Sequence, residues 1–118
     1  MGRIYLGNAF SLGMLPPNFS GVVHVRRNVP VEDARAMLNA VPKDNVISVV
    51  GHSGTAQVMS ELLGYPVNTN RVAITLQPGD TLIVFQLNVR LQEGQLLSSE
   101  EVKKLYSEGK ANFDIVWL

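Results

Sequence analysis

The sequence predicts a small α/β (α+β) domain, a mixed β-sheet flanked by helices. Three observations carry this. First, the chain has 118 residues and is 46% hydrophobic, a length at which one domain buries a core without help. Second, a short apolar run at 45–50 leads through a glycine turn into apolar residues at helical spacing, Ala56, Met59, Leu62 and Leu63. Third, valine-rich segments of strand length recur to the end of the chain, separated by turn and helix signals.

The elements follow in order. Arg3-Ile4-Tyr5-Leu6 reads as a first strand and Gly7–Ser11 as a loop, while Pro16 and Pro17 exclude a regular helix or central strand around them. Gly21–Val25 is valine-rich and suits a strand. After Pro30, Val31, Ala34, Leu38 and Val41 mark one face of a helix over 31–41. Asn45–Val50 is nearly continuous in apolar residues and is expected to be a central strand covered on both faces. The helix over 55–63 has Ser53 or Thr55 to cap its start, with Gly64 and Pro66 as its stop.

Arg71–Leu76 and Asp80–Val89 read as two strands of an antiparallel hairpin, joined at Gln77-Pro78-Gly79-Asp80. Ser98-Ser99-Glu100-Glu101 is a helix start with a hydroxyl cap and acidic residues in the first turn, and Gly109 ends that helix. Phe113–Leu118 is the expected last strand. No repeat or linker divides the chain, so residues 1–118 are expected to form one domain.

Composition narrows the function classes. The chain has no cysteine, which removes disulfides, thiolate metal sites and a cysteine nucleophile. No apolar run reaches membrane-spanning length and no secretion signal opens the chain, so the expected location is cytoplasmic, away from membranes. Ten basic residues balance ten acidic ones, whereas proteins that grip long duplexes usually carry a positive excess. A compact ligand bearing a few phosphates needs only local cations, and six of the ten basic residues are arginines, the type suited to forked phosphate contacts.

The segment that concentrates chemistry is Val49-Val50-Gly51-His52-Ser53-Gly54-Thr55, a strand passing through a glycine-bracketed turn into a helix. Free N–H groups and the helix dipole at such a start attract phosphate. Of the two histidines, His24 lies in a valine-rich strand that suggests packing, which leaves His52 as the candidate for catalysis. A turn histidine that merely caps or packs remains the structural alternative. The turn loosely resembles the G-x-S-x-G elbow of serine hydrolases, but Thr55 replaces the last glycine and no histidine follows the serine. With no recognisable ligand cluster, neither a metal nor another cofactor is expected.

Two further elements stand as candidates to converge on the turn. One is Asn70-Arg71. The other is Gln86–Glu93, in which Gln86, Asn88 and Arg90 share a face at strand period. These same residues also read as a solvated strand face, with Arg90 and Glu93 as an ordinary surface pair.

The segments IYLGNAFSLGML, GHSGTAQVMSELLG, NRVAITL and VFQLNVRLQEGQLLSSEEVKKLYSEGK, followed by a closing apolar strand, together resemble the viral ring nuclease family. That family degrades cyclic tetra-adenylate, the second messenger of type III CRISPR defence, and so acts as an anti-CRISPR. The resemblance covers nearly the whole chain. It implies a homodimer (C2, with two copies of the site facing one symmetric ring) and a metal-free reaction in which a ribose 2′-hydroxyl attacks the adjacent phosphate. It assigns His52 to protonating the departing 5′ oxygen and Glu93 to a position near the attacking ribose. Arg71 and Arg90 would hold phosphates or steady Glu93, while Asn8, Ser11 and Gln86 match polar positions that touch the nucleotide, and Thr55 matches a hydroxyl at the helix start. Gly54 stands where relatives can carry a serine.

The candidate catalytic residues are therefore His52 and Glu93, and the candidate substrate-binding set is Asn8, Ser11, Ser53, Gly54, Thr55, Arg71, Gln86, Asn88 and Arg90. Two other classes compete. One is a sponge that binds the cyclic nucleotide without cutting it. The other is a small nucleic-acid-binding regulator, for which the mixed-charge helix after Ser98 offers no basic recognition face.

Overall fold

The computed structural model describes residues 2–89 and 97–118. Five strands, β1 (Ile4–Gly7), β2 (His24–Val29), β3 (Val46–Ser48), β4 (Thr81–Leu87) and β5 (Ala111–Trp117), form one mixed sheet in the order β2-β5-β4-β1-β3. The strand β1 runs parallel to both β3 and β4, while β5 is antiparallel to β4 and β2. The helices are α1 (Val31–Asn39), α2 (Ser53–Leu63) and α3 (Ser99–Ser107).

Strand periodicity sorts the side chains into two layers. Ile4, Leu6, Ile83, Phe85, Phe113 and Ile115 point to one face, where Ala34 and Leu38 of α1, Val58, Met59 and Leu63 of α2 and Val102 of α3 close the main core. All three helices therefore cover the same side. The opposite face carries Tyr5, Leu82, Val84 and Val116, and it is covered by irregular chain that brings Phe10, Met14, Ile74 and Leu76 across it.

Local signals explain the helix ends. The left-handed Gly64 (φ 58°) terminates α2, and the Arg35 guanidinium donates to the last-turn carbonyls of Leu62 (2.6 Å) and Leu63 (3.1 Å). A reciprocal capping box opens α3: Glu101 N donates to the Ser98 hydroxyl at 3.2 Å, and Ser98 N donates to the Glu101 carboxylate at 3.0 Å.

Several expectations are corrected. The strand expected at 21–25 lies later, at His24–Val29; this edge strand presents polar Arg26, Arg27 and Asn28 to solvent, which hides it from an apolar reading. His24 is exposed and stacks on Trp117 with centroids 5.3 Å apart. The helix after Pro30 stops at Asn39, α2 already starts at Ser53, and the last strand spans Ala111–Trp117.

The apolar run at 45–50 is not central: only Val46–Ser48 is strand, and β3 is an outer strand paired with β1 alone. Both its faces are nonetheless covered, with Val46 packed against the main core and Ile47 against the opposite one, and residues 68–70 are laced to it. Ser48 Oγ donates to Asn68 O, Asn70 Nδ2 donates to Ser48 O at 2.7 Å, and Asn70 N donates to Val50 O at 2.7 Å. The expected hairpin is also overturned. Residues 71–76 form no strand, and β4 pairs with β1 and β5 instead. The turn before β4 is real: Asp80 N donates to Gln77 O, and the buried Asp80 carboxylate accepts from Gln77 N and Arg3 N, each at 2.9 Å.

Candidate active site

The parallel strands β1, β3 and β4 end on the same side of the sheet, the side where open α/β sheets hold ligands. Each delivers part of a cleft there. Asn8 follows β1, the Gly51-His52 turn leads from the end of β3 into α2, and Phe85, Leu87 and Val89 come from the end of β4 and just beyond. Together with Thr55 they line a cleft of about 220 Å³.

His52 is the N-cap residue of α2 in extended conformation (φ −134°, ψ 123°), and its carbonyl accepts from Ala56 N at 3.0 Å. The His52 side chain does not cap the helix, and among the described residues no side chain accepts from its first-turn N–H groups. The His52 ring has a buried Nδ1 with no hydrogen-bond partner among the described residues. Buried polar atoms are nearly always satisfied, so an unpaired ring nitrogen at the edge of a cleft marks a group with hydrogen-bonding capacity to spare. Among the described residues no carboxylate pairs with this ring, unlike the aspartate-oriented histidine of a serine-hydrolase triad.

Arg71 reaches the turn by a different route from the one expected. The Asn68–Asn70 hydrogen bonds to β3 deliver it across Gly51, where its Cγ and Nε lie 3.3 and 3.4 Å from the point a Cβ would occupy. Gly51 is thus the residue that admits Arg71 to the histidine turn, and the guanidinium is exposed above it.

The structure brings Asn8, His52 and Thr55 together, with Arg71 and buried Gly54 beside them. Ser53 is exposed at the helix start, and Ser11 lies in the loop after β1, where its carbonyl closes a turn with Met14 N. Gln86 and Asn88 share a face as expected, but that face is not the cleft's: both line a separate groove beside Arg27, across β4 from His52. Arg90 and Glu93 lie outside the described residues.

Sequence reasoning missed the apolar wall of Phe85, Leu87 and Val89, which reads as ordinary strand. It also missed the pairing of Arg27 with Asp114 at 3.0 Å. A lone carboxylate inside the apolar strand β5 was the available signal for that pair. Among the described residues, no group of three His, Asp or Glu side chains is placed to hold a metal ion, and no helix is long and apolar enough to cross a membrane.

Comparison with known proteins agrees with this architecture. The chain is 32% identical to B116 of Sulfolobus turreted icosahedral virus, whose solved structure superposes with a TM-score of 0.85 over 99% of this chain and 100% of that one. ORF116 of Acidianus filamentous virus 1 is 30% identical over 106 residues, covering 90% of this chain and 87% of the relative. Protein 26 of Sulfolobus islandicus filamentous virus is 31% identical over 98 residues, covering 83% and 79%. The family model described as STIV B116-like matches residues 4–113; by that match and these relatives, the chain belongs to the STIV B116-like family of viral proteins.

Proposed function

We propose that the protein is a metal-independent ring nuclease that opens cyclic tetra-adenylate and so silences type III CRISPR signalling. The observation that carries the reading is the His52 turn: a histidine whose ring nitrogen has no partner among the described residues, set between the start of α2 and Arg71 at the mouth of a cleft. Backbone donors and an arginine together suit a phosphodiester. A histidine beside them supplies the proton that the leaving oxygen needs.

In the reaction, a ribose 2′-oxygen attacks the adjacent phosphorus in line, the bond from phosphorus to the 5′ oxygen breaks, and His52 gives its proton to that oxygen. The 2′-hydroxyl proton passes to a base; the family resemblance sets Glu93 near the attacking ribose, either as that base or as a residue that orients the hydroxyl. The products are linear di-adenylates ending in 2′,3′-cyclic phosphate and 5′-hydroxyl. The cleft of about 220 Å³ is below the usual range of roughly 300–1,000 Å³ for a drug-sized ligand. A ring of four nucleotides would therefore be shared between two copies of the chain.

The test is incubation of purified protein with cyclic oligoadenylates of several ring sizes in excess EDTA, with products resolved by mass. Conversion of the four-membered ring to cyclic-phosphate di-adenylates is the expected result. An intact ring that nonetheless co-elutes with the protein would make it a sponge, and neither binding nor cleavage would remove this ligand from consideration.

A further inference from the structure

On the far side of β4 from His52, at the same end of the sheet, a larger groove of about 680 Å³ runs between β2, β5 and the C-terminal end of α3. Beside it on β5, behind the lining residues Arg27, Asn28 and Asn112, lies a buried carboxylate. Asp114 is 4% exposed; its Oδ1 accepts from the backbone N–H of Asn28 (2.9 Å) and from Asn112 Nδ2 (3.1 Å), and its Oδ2 faces Arg27 Nε at 3.0 Å. Asn28 has a left-handed backbone (φ 54°) at an irregularity in the pairing of β2 with β5. An unusual conformation held by a buried carboxylate is a local constraint that the fold maintains.

The outcome concerns Arg27. Asp114 engages its Nε, while its side chain stays 63% exposed and its two Nη groups have no partner among the described residues. A guanidinium fixed by Nε presents its forked end in a set direction, the geometry that matches two oxygens of one phosphate. The same groove is lined by Asn28, Gln86, Asn88 and Asn112, whose amide side chains can both donate and accept.

We propose that this groove is a second anion subsite, in which Arg27 grips a phosphate of an oligonucleotide chain, Asp114 acts as its positioning residue and the neighbouring amides meet the attached nucleotide. Arg27 stands on β2 and Asn8 follows β1, three strands away in the sheet, which is roughly 14 Å at about 4.8 Å per strand. The two sites thus engage different nucleotides of an extended ligand. The identity of that ligand as an oligoadenylate rests on the function proposed above; the phosphate subsite itself rests on Arg27 and Asp114.

Chemical-shift mapping on isotopically labelled protein separates the two, with linear tri-adenylate and inorganic phosphate as probes. Expected are saturable shifts at Arg27 Nε and at the side-chain amides of Asn28, Asn88 and Asn112. Arg27→Gln should weaken tri-adenylate binding by about 10- to 100-fold, the scale of a lost charge-assisted hydrogen bond, with Arg27→Lys recovering only part and Arg26→Gln unchanged. Asp114→Asn should also weaken the probe while leaving Arg27 in place; should it unfold, the exposed Arg27 variants decide alone. Absence of shifts with both probes, or an Arg27→Gln protein that titrates like wild type, overturns the subsite. Shifts in the groove without cleavage of cyclic tetra-adenylate by wild type would reject the nuclease and keep the subsite, and cleavage without groove shifts would do the reverse.

Discussion

At the scale of single residues, the site depends on what stands next to His52 rather than on the histidine alone. Its Nδ1, without a partner among the described residues, and the adjacent helix start make proton transfer the role to test. His52→Ala is expected to lower single-turnover cleavage of cyclic tetra-adenylate by about 10²- to 10⁴-fold while binding, measured by calorimetry, stays near wild type. Equal loss of both would recast His52 as a ligand contact. Arg71→Ala and Arg90→Ala are expected to impair binding or cleavage more than Arg26→Ala, because Arg26 pairs with Asp33 on the helix-covered side of β2. Similar effects for all three would mean that the phosphate lies elsewhere. Gly51→Ala gives a finer test: the added methyl would meet Arg71 at 3.3 Å, so turnover should fall through displacement of the guanidinium with little change in melting temperature.

At the scale of elements, what could be read in advance divides along physical lines. Helices announce themselves locally, so Ser98 with Glu101, and Gly64 after Leu63, marked real ends. Pairing partners are not local. Val72, Ile74 and Leu76 alternate like a strand, yet Leu76 N donates to Met14 O of a loop rather than to a strand, and Val72 is 51% exposed. The histidine turn was legible because its glycine, histidine and hydroxyl residues are adjacent in sequence. The separation of Gln86 from His52 was not, since it depends on which side of β4 faces the cleft.

The same locality makes α3 a clean subject for mutation. Ser98→Ala removes its N-cap and is expected to destabilise the protein by about 1 kcal/mol in urea unfolding; no change would mean that the cap is solvent-replaceable. Hydrogen bonds from the Ser98 N–H, and then from its hydroxyl, hold the Glu101 carboxyl below its ordinary range. A depressed folded-state pKa contributes stability above the unfolded value and loses it as pH falls through the folded one. Acid titration of the wild type and Glu101→Gln should therefore converge in stability below the normal glutamate range and diverge above it.

At the scale of the whole molecule, the proposed reaction requires two chains and no metal. Light scattering with and without EDTA, run beside the cleavage assay, is expected to show an active dimer in both. An active monomer would end the shared-site model, and strict dependence on a divalent ion would point to attack by water. The lacing of residues 68–70 along β3 bears on how the sheet ends. Those hydrogen bonds occupy the carbonyls of Ser48 and Val50 and lay chain along that border, and at the other end of the sheet β2 presents two arginines and an irregularity at Asn28. Both margins are thereby guarded against strand addition. The sheet thus ends at its own borders, and even a crowded solution of this protein is not expected to fuse sheet to sheet into a continuous fibre.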